Sequence, residues 1–152
     1  MERVAATLRE RGVQSRLEEF VEGTHSARDA ARAVGCDAAQ IVKSLVFVCD
    51  GLPVLALVPG DRRADAAKIA AAANAGYARV ARPDEVVSAT GFEPGAVAPF
   101  PLRTVAWRFI ERLLLQHARV WIGAGSDTHM ASLAPSDLQR LAGARTADLV
   151  AR

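Results

Sequence analysis

Two apolar runs facing each other across Asp50-Gly51 constrain this chain more than any other feature: SLVFVC before the pair and LPVLALV after it. β-branched and aromatic residues suit extended backbone, and Asp-Gly suits the two positive-φ positions of a tight hairpin turn. A hairpin is therefore predicted over 44–58. Neither run approaches the roughly 18 to 20 apolar residues that a bilayer crossing needs, so no membrane partner is expected. The 152 residues are 51% hydrophobic and 24% charged, which fits one globular domain spanning 1–152. Nineteen Lys plus Arg against seventeen Asp plus Glu leave a formal +2, too little for a protein that coats duplex DNA. The end of a nucleic acid remains an admissible ligand.

The rest of the chain alternates helical and strand patterns. A helix is predicted over 2–11 with Gly12 as its stop, and a strand over 15–21. Ser26 with Asp29 resembles a capping box that opens an Ala-rich helix closed by Gly35, and Asp37 can cap a short helix from Ala38 to Val42. Beyond the hairpin, Ala64 to Ala75 reads as a helix stopped by Gly76, and Tyr77 to Val80 as a short strand. Pro83 then starts a helix that ends at Gly91. The stretch from Gly91 to Pro101 is a loop stiffened by proline. Strands are expected over 104–110 and 119–122, a turn at GAGSDT, a strand at HMASLA, a helix from Pro135 to Gly143 and a short tail strand. This order predicts an α+β fold, a mixed β-sheet with flanking helices on one side.

Few residues are candidates for chemistry. The chain has seventeen Arg and only two Lys, Lys43 and Lys68. Lys43 sits in IVKSLVFV, where an ammonium among apolar neighbours either snorkels to solvent or holds a phosphate, carboxylate or carbonyl oxygen. Lys68 lies in the Ala-rich helix and reads as a solvated position. Gly95 to Phe100 is either a plain turn or a rigid loop that presents backbone N–H groups to a ligand. Gly123-Ala124-Gly125-Ser126 allows the same two readings, and it lacks the third glycine of a dinucleotide fingerprint. His129 follows it and is either structural or functional. His25 and His117 read as structural. Ser126, Asp127 and His129 are too close on one turn for a hydrolytic triad. Scattered histidines, with Cys36 and Cys49 far apart, supply no metal-ligand spacing, so neither a metal nor another cofactor is expected. MERVAATLRERG shows no secretory pattern, and a cytoplasmic location is expected.

Taken in order, QIVKSLVF, LVPGDRRAD, Gly95-x-x-x-Pro99, WIGAGSDTH and LAPSDLQRLAG resemble the YbaK-like aminoacyl-tRNA deacylases, the family that includes the editing domain inserted in bacterial prolyl-tRNA synthetases. The likeness runs from about Ser26 onward. It implies hydrolysis of the ester between a mischarged small amino acid (Ala, Cys, Ser or Thr) and tRNA, often tRNA(Pro), with water as nucleophile and no metal. It assigns Lys43, Gly95 and His129 to catalysis, and Pro99, Gly123, Gly125 and Ser126 to substrate binding. The implied partner is the acceptor end of an aminoacyl-tRNA, with a synthetase as a second candidate. Ala96 and Ala98 depart from the family pattern and leave amino-acid preference open. The Arg62-Arg63 pair is either structural or a contact to the acceptor stem. A non-catalytic module binding an aminoacyl group, a nucleotide or a synthetase is the alternative on the same scaffold.

Overall fold

The computed structural model describes residues 2–19, 26–100, 105, 107–126 and 129–152. The expected hairpin is its centre. Strand β2 (Val42–Cys49) pairs antiparallel with β3 (Leu52–Pro59) along its whole length, closing through Asp50 and Gly51 at φ 48° and 84°. Both turn residues thus occupy the left-handed region, as a type I′ turn requires. The Asp50 carboxylate also accepts from the N–H groups of Gly76 at 2.9 Å and Tyr77 at 3.1 Å. The turn thereby fixes the start of the edge strand β4 (Ala78–Val80), which pairs antiparallel with β2. On the other side β5 (Trp107–Glu111) and β8 (Arg145–Ala147) add in parallel, so the mixed sheet runs β4-β2-β3-β5-β8. A second, antiparallel sheet holds β1 (Arg16–Glu19), β7 (His129–Leu133) and β6 (Val120–Ser126), in the order β1-β7-β6.

Val54 through Val58 have no exposed surface at all, so β3 must be covered on both faces. One face, carrying Val42, Val46, Leu55 and Leu57, packs on β6, β7 and three helices: α1 (Glu2–Glu10), α4 (Pro83–Thr90) and α5 (Pro135–Ala142). The opposite face, carrying Phe47, Cys49, Val54 and Val58, packs on Ile69 and Ala70 of α3 (Ala66–Ala72) and on Leu149. Helices therefore lie on both sides of the sheet, not on one side as expected. The remaining helix, α2 (Ala27–Val34), carries the predicted caps: the Ser26 side chain accepts from the Asp29 N–H at 3.1 Å, and Gly35 closes it in the left-handed conformation.

Several boundaries differ from expectation for local reasons. Helix α3 starts later, because the Asp65 carboxylate caps it by accepting from Ala67 N and Lys68 N, and it stops earlier, with Asn74 at φ 54°. The helix expected through Val42 shortens to a 3₁₀ turn over Ala38–Gln40, since Val42 already pairs with Pro59. The glycine segment expected to turn at GAGSDT stays extended through Ser126, paired with β7 across an irregularity between Gly123 and Ser126. Phe20 and Val21 of the first predicted strand, His25, Thr104 and Asp127 lie outside the described residues.

Gly60 ends β3 where three elements meet. A Cβ there would stand 2.5 Å from the Ala27 Cβ of α2, 2.7 Å from the Ala38 carbonyl oxygen and 3.3 Å from the Ile41 Cβ. Its N–H donates to the Ile41 carbonyl at 2.7 Å, so the backbone cannot step aside without losing that bond. Gly60→Ala is expected to cost about 1–3 kcal/mol, the usual range for overpacking. Urea unfolding of the variant beside the parent measures it, and equal midpoints would show that α2 is loosely seated.

Candidate functional site

Two cavities open beside the N-terminal half of β2. The larger, about 1110 Å³, is lined by Arg28, Lys43, Ser44, Arg62, Arg63, Val80, Pro94 and Gly95 among others. The smaller, about 250 Å³, is lined by Ala30, Ile41, Lys43, Ser44, Gly95, Val97, Gly123, His129 and Met130 among others. Lys43, Ser44, Gly95 and Val97 line both, so the cavities meet at these residues. Four cations (Arg28, Lys43, Arg62 and Arg63) and one anion (Asp61) line the larger cavity. A chain of formal +2 thus concentrates positive charge at one place, where an anionic ligand would be drawn in.

Side chains alternate along β2, which sets Lys43 on the same face as Leu45, Phe47 and Cys49, at the end where the α3-covered cluster gives way to the cavities. The half-buried ammonium donates to the Arg62 carbonyl at 2.7 Å. Burial pulls its pKa below the ordinary lysine value; Asp61 opposes this shift and Arg63 adds to it. Among the described residues one carbonyl uses one of three ammonium protons, which leaves two for oxygen atoms of a ligand.

Gly95 has φ 84°, and a Cβ there would meet nothing within 4 Å, so its α-carbon faces open space. The Ala96 N–H is already donated to the Glu93 carbonyl at 3.0 Å. Gly123 of β6 stands behind the loop, its would-be Cβ 3.5 Å from the Val97 carbonyl oxygen. His129 reaches only the smaller cavity, and its Nε2 lies 3.1 Å from Glu19 Oε2 on the neighbouring strand. Pro99 is buried and is not among the residues lining either cavity; its ring fixes φ at that point of the loop. Gly125 and Ser126 are placed only as backbone of β6, and neither is among the described residues that line the cavities.

Sequence reasoning missed Ser44. Its hydroxyl is buried at the junction of the two cavities with no hydrogen-bond partner among the described residues, a costly state for a polar group, which makes it a candidate for contact with a ligand. The available signal was its parity: Ser44 is polar at a position in register with Val42, Val46 and Val48. Lys68 is also not solvated in the way expected, since it pairs with Asp148 and the Val150 carbonyl. Burial raises the pKa of the Cys36 and Cys49 thiols, with Asp37 and Asp50 adding to it, which makes both poor nucleophiles. Among the described residues, no group of three or more His, Cys, Asp or Glu is placed to hold a metal ion, and no helix is long and apolar enough to cross a membrane.

Comparison with known proteins gives the family and bears on the fold as a whole. A proline--tRNA ligase of Nitratidesulfovibrio vulgaris is 35% identical over 109 residues, covering 71% of this chain and 19% of the ligase. The chain thus spans about a fifth of the length of the curated relatives it matches. A crystal structure provisionally described as a trans-editing enzyme for prolyl tRNA synthetase superposes with a TM-score of 0.90 at 36% identity, covering 99% of this chain and 96% of that one. The hypothetical protein APE2540 superposes with a TM-score of 0.90 at 29% identity, covering 98% and 99%. The family model for an aminoacyl-tRNA editing domain matches residues 21–141, which hold Lys43, Ser44, the Gly95 loop and His129, and this chain belongs to that family.

Proposed function

We propose that the protein is a free-standing deacylase, one editing unit over 1–152, that hydrolyses the ester joining a small mischarged amino acid (Ala, Cys, Ser or Thr) to tRNA(Pro) in the cytoplasm. The observation that carries this reading is the pair of unequal cavities meeting at Lys43, Ser44 and Gly95. An aminoacyl-tRNA end has the same plan: a large anionic nucleotide and a small amino acid, joined by one ester. The larger cavity, ringed by Arg28, Arg62 and Arg63, takes the terminal nucleotide and its phosphates, and the smaller takes the amino acid. The scissile ester then lies at the junction.

Water attacks the ester carbonyl, the carbonyl oxygen becomes an oxyanion, and the ribose oxygen leaves with a proton. The Gly95 and Val97 N–H groups, hydrogen-bonded to no described residue, are the loop's donors for that oxyanion, an arrangement commonly worth about 10²- to 10³-fold in rate per donor. Lys43 anchors the nucleotide or ester oxygens. Ser44 is a short-range partner for the substrate's polar atoms, and His129 orients substrate or water from the side of the amino acid. Each step uses groups of the chain, and none requires a metal.

A panel of tRNAs charged with Ala, Cys, Ser, Thr or Pro, assayed for single-turnover deacylation, tests the reading directly. Hydrolysis of none of them would leave the scaffold as a binding module. Lys43→Ala should lower the rate at least about tenfold, and Lys43→Arg should not restore it, because a planar fork replaces a compact ammonium. Stability should behave differently. A folded-state pKa below the unfolded one means that the unfolded chain holds this proton longer, so stability rises with pH from the folded value up to the ordinary lysine value. Lys43→Met should therefore melt no lower than the parent at neutral pH, with its advantage shrinking in alkali. A marked drop in melting temperature would make Lys43 a structural post.

Gly95→Ala places a methyl group in the open space at the junction and strains the positive-φ backbone by about 1 kcal/mol. Turnover should fall far more than the folded fraction does. A loss of rate matched by the loss of folded protein would make that loop structural.

Hydrolysis should also persist in excess EDTA. Loss under EDTA with recovery on adding zinc would overturn attack by a metal-free water.

A further inference from the structure

Among the described residues Lys43 is held by one carbonyl, that of Arg62, which belongs to a segment with no helix or strand of its own. The Arg62 N–H donates back to the Pro59 carbonyl of β3 at 3.1 Å, and the other backbone bonds of residues 61–64 run to residues 148–151. The Asp65 N–H donates to the Leu149 carbonyl at 2.8 Å, the Ala151 N–H donates to the Arg63 carbonyl at 2.8 Å, and Ala64 pairs with Val150 in an antiparallel bridge. Residues 148–151 act as a strap across the segment. The strap itself is pinned at two places: the Leu149 N–H donates to the buried Glu111 carboxylate at 2.8 Å, and Lys68 Nζ reaches both Asp148 oxygens at 3.1 Å and the Val150 carbonyl at 2.7 Å.

We propose that Lys68, paired with Asp148, is a positioning residue for Lys43. Lys68 fixes the strap 148–151, the strap fixes 61–65, and that segment fixes the Arg62 carbonyl that aims the Lys43 ammonium at the junction of the cavities. The residue types suit this task. Three donors from one ammonium converge on a carboxylate and a carbonyl, whereas a planar guanidinium fork cannot close on that set from the same place. In a chain with seventeen Arg, both lysines then belong to one chain of contacts. The pair's side chains are 26% and 38% exposed, and ion pairs this open add little to global stability, so its main effect is on geometry.

The inference rests on the deacylase reading only for its effect on turnover; the geometry is read without it. With ¹³Cε-lysine the chain gives two lysine signals, and Lys68→Met leaves only that of Lys43. In Lys68→Met and in Asp148→Asn, the Lys43 signal should move toward that of free lysine. Its titration midpoint should rise as burial is relieved, with Asp61 and Arg63 the charged groups that bear on it. In single-turnover deacylation, Lys68→Met should cost about tenfold with Lys43 present and less than about twofold in a Lys43→Ala background, the mark of two residues acting through one path. Lys68→Arg should recover only part of the loss. An unmoved Lys43 signal in either folded variant, or equal losses in both backgrounds, overturns the proposal. If Lys68→Met does not fold, Asp148→Asn decides, since it keeps the bond to Val150. If the parent deacylates nothing, the functional reading fails while the Lys43 signal still decides the positioning role.

Discussion

Burial of β3 on both faces is the constraint from which the remaining structure follows. A strand with no exposed surface from Val54 to Val58 needs cover above and below, and it needs hydrogen-bonded neighbours on both edges because its backbone polar groups cannot reach water. β2 and β5 supply the edges. α3 and the C-terminal residues supply one cover; β6, β7, α1, α4 and α5 supply the other. The price of such a core is that a polar group placed in it needs a partner, and this makes Lys43 and Ser44 conspicuous at the end of β2, where the cover stops and the cavities begin.

What could be read from the sequence was what is decided within a few residues. Asp50-Gly51, Pro83 with Gly91, and Pro135 with Gly143 mark element ends through their own backbone preferences, and the structure places those ends as expected. Gly123 to Ser126 failed that kind of reading, because β7 holds the segment extended and local glycine content does not report a pairing partner. The length of α3 failed for a nearby reason. Its limits are set by the Asp65 carboxylate and by Asn74 in the left-handed region, while the flanking Ala residues fit either state.

The site was legible to a similar depth. Lys43 and Gly95 stand out by residue type and position, and the structure brings them together with Val97 at one junction. Ser44 needs the strand's parity and the position of the cavities before it has meaning. Arg28 enters only because α2 packs against Gly60, more than thirty positions along the chain, with the Ala27 Cβ standing where a side chain on Gly60 would be. His129 shows the converse case: a residue suspected from sequence is found beside Glu19 on the rim, facing the smaller cavity alone.

The strap over residues 61–65 also bears on how the site comes into being. β2 and β3 are neighbours in sequence and can pair early, since closing a two-residue turn costs little chain entropy. The bond from Lys68 to Val150 joins residues 82 apart, and the bond from Leu149 to Glu111 joins residues 38 apart. Such contacts form only after the intervening chain is in place. During synthesis the hairpin can therefore exist while the segment that holds Lys43 still lacks the contacts of the strap, and the cavities reach their final form only after residues 148–151 have left the ribosome.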